Sequence, residues 1–443
     1  MAESIFHKDF KPSPYWWEAW RPSNALSQDP PARTDVLVVG AGYGGLSTAL
    51  ELARSGVDVT VLERDVFGTG ASTRNGGGVS GGTTMGKGFS GKGVGGDPES
   101  WKRIMERMLA DAADSLAQVE TVIRREGIEC HWRMNGRFSG AYTPGHYRDQ
   151  AAKVGTYNET AGLGTYMVPR ERQREEIASD YYHGGMVVER TGQLHPALYF
   201  GGLLEATHRA GARLCANCPA DRIERKPAGF VVTTPKGRIE ARELVIATNG
   251  YTTDVTPTLR RRLVPVASHI IATEELPEDL VRSLIPRNRV VSDTKRVLCY
   301  YRQSPDMRRV VFGGRARFTQ VPPEVSAPVL HGYMLDRWPQ LRGVKVTHAW
   351  TGNVAFAFDF LPHMGQEQGM HYLMACNGSG VAMMSYLGFQ TARKIVGGSN
   401  APANAFDGRP FPTMPFYRGD PEWVLPFVGA WYRARDWWDR MRA

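Results

Sequence analysis

Long hydrophobic runs are missing from this 443-residue chain. Nowhere do apolar residues approach the ~18 in succession that a membrane-crossing helix needs. The opening stretch, Met1 to Pro14, holds charge and proline without an apolar core, so no secretory signal is expected. Cysteine is scarce: Cys130, Cys215, Cys218, Cys299 and Cys376 form an odd, scattered set, which fits a reduced, cytoplasmic protein. Cys215 and Cys218 make a C-x-x-C pair, but no second pair or histidine cluster completes a zinc site, so no metal is expected. Blocks of five or six basic residues are also absent, although Lys and Arg outnumber Asp and Glu by 54 to 45. The excess favours anionic ligands in general. The lack of a polybasic tract argues against nucleic acid as a partner.

What is present begins with a nucleotide fingerprint. Asp35-Val-Leu-Val-Val-Gly40 is a short β-branched run of the kind that forms a buried parallel strand. It leads into Gly40-Ala41-Gly42-Tyr43-Gly44-Gly45, and Leu46, Ala49, Leu50 and Ala53 follow at helical spacing up to Gly56. A second strand, Val57 to Leu62, ends at Glu63. Strand, turn, helix, strand and acid together form the setting that a G-x-G-x-x-G motif requires. Gly40 permits the tight turn, Gly42 lets the backbone approach a pyrophosphate, and Gly45 lets helix and strand close up. The helix N-terminus offers N–H groups to phosphate. Glu63 can accept ribose hydroxyls, and a carboxylate there would repel the 2′-phosphate of NADP.

Two further segments separate FAD from NAD. One is Gly70-Ala-Ser-Thr-Arg-Asn-Gly-Gly77; the other, far downstream, is Leu244-Val-Ile-Ala-Thr-Asn-Gly250, an apolar strand ending in a small-residue turn. The nucleotide domain of an NAD dehydrogenase is finished well before that point. A flavin fold interrupts its nucleotide domain with a substrate domain and returns to it later.

These pieces combine with Tyr182-His-Gly-Gly185, Gly192-Gln-Leu-His-Pro196, Phe312-Gly-Gly314, Trp350-Thr-Gly352, Asp359-Phe-Leu-Pro-His-Met-Gly365 and Gly378-Ser-Gly380. In that order, over nearly the whole chain, the sequence resembles the D-amino-acid-oxidase (DAO) superfamily of FAD-dependent oxidoreductases. With Pro412-Thr-Met-Pro-Phe-Tyr-Arg-Gly419 it is most similar to the γ-glutamylputrescine oxidoreductase-like branch. The resemblance implies an α/β fold: an FAD-binding Rossmann-like domain (glutathione-reductase type) with an interleaved α+β substrate domain. The FAD domain would comprise residues 30–96, 184–256 and 349–400, the substrate domain 97–183 and 257–348, and a tail 401–443. Implied FAD contacts are Gly40, Gly42, Tyr43, Gly44 and Gly45 in the turn, with Glu63 and Arg64 after the second strand. Gly70, Ala71, Ser72, Arg74, Asn75, Gly76 and Gly77 follow, then Ala220 and the Thr248, Asn249, Gly250 turn. Gly352, Gly378, Ser379, Gly380 and Val381 complete the set.

Local patterns agree with that layout. Trp101, Ile104, Met105, Met108, Ala112, Leu116, Val119 and Ile123 make an apolar stripe at helical spacing, expected to pack in a core or interface. Arg309-Val-Val-Phe312 and Arg296-Val-Leu-Cys-Tyr-Tyr301 suit strands of the substrate sheet.

The implied activity is oxidation of a small primary or secondary amine, or an amino acid, by hydride transfer to FAD and hydrolysis of the imine. Such chemistry needs positioning and a stabilised reduced flavin more than acid–base groups, and no convincing His–carboxylate pairing is evident in the sequence. Gly378-Ser379-Gly380, opening a helix, supplies a positive dipole end. Many amino-acid oxidases of the superfamily read Gly-x-Arg-Pro where this chain reads Gly352-Asn-Val-Ala355, so Val354 stands where an arginine would clamp the α-carboxylate. That departure points to an amine, or to an amino acid held elsewhere. Arg302 and Arg315 are candidates for such a hold, each also readable as a surface or interdomain arginine. His363 could lie near the flavin or be structural; Tyr300 and Tyr301 could wall the substrate or pack in the core.

Neither the cysteine nor the histidine that carries covalent flavin in relatives occurs, in 352–365 or 68–82 respectively, so FAD is expected to be non-covalent. The superfamily's oxygen-activating lysine is not found between Phe312 and Arg317, where only Arg315 and Arg317 are basic. Oxygen, a quinone or a carrier protein all stay open as electron acceptor. The glycine-rich stretch 76–96 reads as a mobile loop or a linker. The Trp- and Arg-rich tail, Trp423 to Arg442, is expected to pack on its own protein or a partner subunit, with membrane-surface contact as the other reading. An NAD-linked dehydrogenase, a tRNA-modifying amine oxidase and a non-catalytic flavin binder are the alternatives.

Overall fold

A computed structural model describes residues 4–81 and 98–442; the glycine-rich stretch therefore lies, from residue 82 on, outside the described residues, as does the Trp101 side chain. Two sheets organise the chain. In the first, Arg33–Val39 lies parallel to Val59–Leu62 on one side and to the end of Gly237–Ile246 on the other. Arg213–Cys215 extends the parallel set beyond Val59–Leu62. The hairpin strands Arg222–Lys226 and Gly229–Thr234 extend it past Gly237–Ile246, and Met370–Met374 pairs with Val245 and Ile246. Val36, Val38, Val59 and Val61 are β-branched, suit a pleated surface and are buried.

Helix Tyr43–Arg54 follows the glycine turn and ends before Gly56. It packs along helix Gly380–Gly397, where Thr48 donates to the Gly388 carbonyl at 3.1 Å. Helix Pro98–Glu126 covers the pair: Met108, Ala112, Leu116, Val119 and Ile123 of the expected stripe are buried in that core.

The larger sheet has nine strands, running from Phe6–Lys11 at one edge through Val346–Ala357, Leu263–Thr273, Val310–Gly314 and Cys299–Gln303. It continues through Val290–Asp293, Arg137–Gly140 and Gly185–Val188 to Thr165–Val168. Two segments placed by resemblance with the FAD domain run here instead. Gly185–Val188 pairs with Arg137–Gly140 and Thr165–Val168, and residues 349–357 continue a strand that pairs along all of Leu263–Thr273. Hydrogen-bonded pairing, which the linear sequence does not display, decides which sheet these strands join.

Alternation divides this sheet into two faces. Phe138, Val291, Tyr301 and Phe312 point to one side and pack on Ala327, Leu330 and Met334 of helix Pro323–Arg337. Arg137, Ser139, Ser292, Tyr300 and Val354 line a cavity on the other side. That inner face, opposed to the glycine turn of the first sheet, positions the candidate site.

Candidate active site

One cavity of about 1070 Å³ joins the two sheets. At one end Gly40, Gly42, Glu63, Ser72 and Gly250 form its wall; at the other stands the inner face of the larger sheet. All the expected cofactor residues line it except Gly45 and Ser379. Gly45 lies beneath the turn, where an added Cβ would come 1.9 Å from the Gly40 carbonyl oxygen. The turn is thus closed tightly, and at the start of the helix the Tyr43 N–H donates to the Ser72 hydroxyl at 3.1 Å on the cavity side. The Ser379 hydroxyl is turned towards Ser80, donating to its carbonyl at 3.1 Å, while Gly378, Gly380 and Val381 face the cavity.

The glycine cradle fits the diphosphate of a dinucleotide. Gly42 caps helix Tyr43–Arg54 with no side-chain cap, and the first-turn N–H groups have no acceptor four residues earlier within the helix. Glu63 ends its strand with one carboxylate oxygen accepting from Ala41 N–H and the other from Asp65 N–H, both at 3.1 Å. Burial lifts its carboxyl above the usual range, and those two bonds oppose the lift. A second helix start, at Gly380, faces the cavity from the far side and favours negative charge there.

The 70–77 loop is held from behind by tryptophans. The Trp350 and Trp16 indole N–H groups donate to the carbonyls of Arg74 and Asn75, each at 2.8 Å, and Trp17 donates to Thr73 at 2.9 Å. The Arg74 guanidinium lies 4.7 Å from the Trp17 ring centroid and donates to Thr69 and Thr351 carbonyls. Three indole donors thereby fix a loop rich in glycine. The amino-terminal Trp16 and Trp17 carry no motif, and only their aromatic density marks them in the sequence.

The expected substrate residues divide. Tyr300 faces the cavity, with its ring against Gly76 and Gly313 and its hydroxyl 2.8 Å from that of Ser268; burial pushes its pKa to about 12. Tyr301, one residue on, takes the opposite face of the strand. It borders the cavity, but its ring stacks on Phe312 with centroids 4.9 Å apart and its hydroxyl bonds that of Tyr182 at 2.7 Å, so the ring belongs to the core. His363 is likewise corrected: it lies outside the cavity lining, stacked on Phe411 and 3.0 Å from the Asp359 carboxylate.

His–carboxylate pairs do exist, then, contrary to the reading of the sequence; His348–Glu18 and His371–Glu243 are others. Among the paired histidines of the described residues, His146 alone faces the cavity, 2.8 Å from the Thr294 hydroxyl and 4.0 Å from Asp439. Arg302 reaches the cavity, but its donors go to the backbone: Leu194 O at 2.7 Å and Gln303 O at 3.1 Å. Burial brings its pKa down to about 9. It ties a sheet strand to the loop before helix Pro196–Arg209. Arg315 donates to Arg296 O at 3.1 Å and lies 5.0 Å from the Phe356 ring centroid, and burial lowers its pKa. Among the described residues neither arginine forms an ion pair with a carboxylate.

The cavity also gathers residues that no motif singles out: Arg137, Gln150, Lys153, Lys295 and, from the tail, Tyr432. The tail forms helix Leu425–Met441 and packs on its own chain. The buried Asp436 carboxylate accepts from Arg296 N–H at 3.0 Å and Val297 N–H at 2.9 Å, fixing the segment that leads into Tyr300. Its outer face exposes Phe427, Trp431 and Trp437. Among the described residues, no helix is long and apolar enough to cross a membrane. Cys215 and Cys218 are buried thiols, and burial raises the Cys215 pKa to about 12.

Comparison with known proteins bears on the cofactor. The family described as "DAO: FAD dependent oxidoreductase" matches residues 35–394. The γ-glutamylputrescine oxidoreductase of Escherichia coli (strain K12) is 32% identical over 91% of this chain and 92% of its own length. A probable oxidoreductase, OrdL, of Rhizobium meliloti is 29% identical over 95% and 97%. Among solved structures, glycine oxidase from Geobacillus kaustophilus superposes with a TM-score of 0.69 at 19% identity, covering 87% of this chain and 99% of that one. L-proline dehydrogenase from P. horikoshii gives 0.70 at 18%, covering 85% and 98%. These two share the mixed α/β fold. The family match decides for FAD over a nicotinamide nucleotide, and the chain belongs to the FAD-dependent oxidoreductases of the DAO family.

Proposed function

We propose that this enzyme oxidises a carbon–nitrogen single bond of a small primary or secondary amine, or of an amino acid, with dissociable FAD. The observation that carries the reading is the single cavity running from the glycine cradle to the inner face of the larger sheet, with the Tyr300 ring against Gly76 where the two meet. FAD, when bound, supplies the acceptor for a hydride from the carbon beside nitrogen, and the imine is then hydrolysed to an aldehyde or keto product. The chain's own residues hold and orient. The cradle takes the diphosphate, the helix start at Gly380 favours negative charge, and the buried Tyr300 keeps its phenol protonated and narrows the space for substrate. The relative that acts on γ-glutamylputrescine by its name, similar over nine-tenths of both chains, supports an amine as the reducing substrate. Dissociable FAD is supported by the missing cysteine in 352–365 and the missing histidine in 68–82.

The test is the visible spectrum of the purified protein during anaerobic titration with amines and amino acids. A yellow protein bleached by at least one of them, and losing its flavin to the supernatant on acid precipitation, is the expected result. A flavin that no amine bleaches defeats the amine reading, and a flavin that stays with the pellet defeats the non-covalent one.

A further inference from the structure

The inner face of the larger sheet carries a cation that forms no ion pair among the described residues. Arg137 begins strand Arg137–Gly140, and its neighbour across one strand is Val290, across the other Val188. All three line the cavity, so the guanidinium stands on an otherwise apolar patch of wall. Its Nε is buried without a hydrogen-bond partner among the described residues. Burial lowers its pKa to about 10, and no carboxylate among the described residues opposes that shift. The side chain as a whole is half-buried, but a buried N–H without an acceptor is costly, and an anion entering the cavity would supply one.

The surroundings add polar groups of the other kind, an acceptor that suits a donor on the ligand beside its anion. Ser139, two residues on and on the same face, accepts from the Gln150 amide at 3.0 Å. Gln150 is itself 7% exposed, and its Oε1 is a second buried atom with no partner. Lys153, Lys295 and Asp149 line the same cavity, and Lys295 lies over the Tyr142 and Tyr333 rings with centroids 5.2 and 5.1 Å away. An amine-oxidising pocket lined this way repels a bare polyamine. It suits a substrate whose other end is anionic.

Position excludes the familiar α-carboxylate clamp. Val354 lies five strands away from Arg137 in the sheet order, whereas Tyr300 lies two strands away, which is roughly 10 Å at ~4.8 Å per strand. A carboxylate on Arg137 therefore belongs to the far end of an extended molecule whose other end reaches Tyr300.

We propose that Arg137 anchors a carboxylate borne by the substrate at the end remote from the reacting nitrogen, making the substrate class an extended amino acid rather than a simple amine. The planar guanidinium would take the carboxylate through two N–H donors. The identity of the reacting end rests on the amine reading above, but the anchor itself does not.

Binding without turnover separates the two. Glutarate and its uncharged analogue glutaramide carry no oxidisable amine and are titrated calorimetrically into the FAD-loaded enzyme. Glutarate should bind at least tenfold more tightly than glutaramide to the wild type. Arg137→Gln should abolish the preference, Arg137→Lys should keep part of it, and Arg315→Gln should leave it intact. Equal binding of the two ligands by the wild type overturns the anchor. So does a preference that survives in Arg137→Gln or disappears only in Arg315→Gln. Should Arg137→Gln fail to retain flavin, the wild-type pair of ligands and the Arg137→Lys variant decide alone. A protein whose flavin no amine bleaches, yet which prefers glutarate through Arg137, would keep the anchor and lose the amine reading.

Discussion

Arg337 and Asp293 form an ion pair of 2.7 Å with both side chains wholly excluded from solvent. The pair sits beneath the substrate face of the larger sheet, on the side opposite the cavity. Asp293 also accepts from Cys299 N–H at 3.2 Å, and Arg337 donates to the Tyr182 hydroxyl at 3.2 Å. Removing one partner leaves a buried charge uncompensated, at a cost of about 3–5 kcal/mol. Arg337→Met should therefore lower the unfolding free energy by that amount in urea titrations. The double variant Arg337→Met with Asp293→Leu should recover at least half of the loss. A double variant no more stable than the single one would show that the geometry of Asp293, and not its charge, is what matters.

The glycine turn makes a sharper prediction. A methyl group at position 45 would stand 1.9 Å from the Gly40 carbonyl oxygen and 3.2 Å from a Val38 methyl, with no flexible side chain to give way at the first contact. Gly45→Ala must push helix Tyr43–Arg54 off the strand and spoil the phosphate cradle. The variant should purify nearly colourless, and its FAD affinity, followed by quenching of flavin fluorescence, should fall by two orders of magnitude or more. Retained colour and affinity would mean that helix and turn are looser than their packing implies.

Acid sensitivity follows from His195. Its Nδ1 accepts the Leu198 N–H at 3.2 Å, capping helix Pro196–Arg209, and its ring meets Trp16 edge-on at 4.9 Å. Burial, with Arg302 and His131 adding repulsion, lowers its pKa to about 3, against ~6.5 in an unfolded chain. Below pH 6.5 the unfolded chain takes up a proton that the folded one refuses. Stability is therefore complete above that pH and is lost as pH falls towards 3, by about 3 kcal/mol at pH 4.5. His269, lowered to about 4 by burial, adds in the same direction. His195→Asn keeps an acceptor at the cap and removes the titration. Its urea midpoint should fall less than that of the wild type between pH 7 and pH 4.5. Parallel declines would place the acid sensitivity elsewhere.

What the sequence shows and hides at this site has a physical pattern. The turn at 40–45 is legible because strand, glycine spacing and helix are local and each leaves its own periodicity. The 300–302 segment is not. Consecutive tyrosines on a strand must face opposite ways, and which one enters the cavity depends on register. Asp436, far along the chain, helps to set it by capping the backbone at Arg296 and Val297. Arg137 is hidden for a related reason. In Arg137-Phe-Ser-Gly140 only alternation speaks, and alternation alone does not say which face is core. His363 misleads in the other direction: it sits in a recognisable motif, yet Phe411 and Asp359 claim its ring.

Val354 offers a test of specificity that runs opposite to the Arg137 anchor. It faces the cavity across from Val266 in the paired strand and packs against the nucleotide-side core, between Arg74, which donates to the Thr351 carbonyl, and Arg315, which lies over the Phe356 ring. An arginine there would add a planar bidentate donor five strands from Arg137, near the Gly250 turn, whose carbonyl lies 3.4 Å from the Asn353 side-chain nitrogen. Val354→Arg should therefore shift preference towards short α-amino acids, whose carboxylate adjoins the reacting carbon. It should do so chiefly through KM, because the contact forms before reaction. The measurement is the ratio of kcat/KM for a short α-amino acid to that for an amine of equal length, in variant and wild type. A rise of tenfold or more, about 1.4 kcal/mol, would show that Val354 borders the reacting end and that a clamp can be restored by one side chain. An unchanged ratio with flavin retained would mean that the substrate's reacting carbon lies away from this strand, closer to Tyr300.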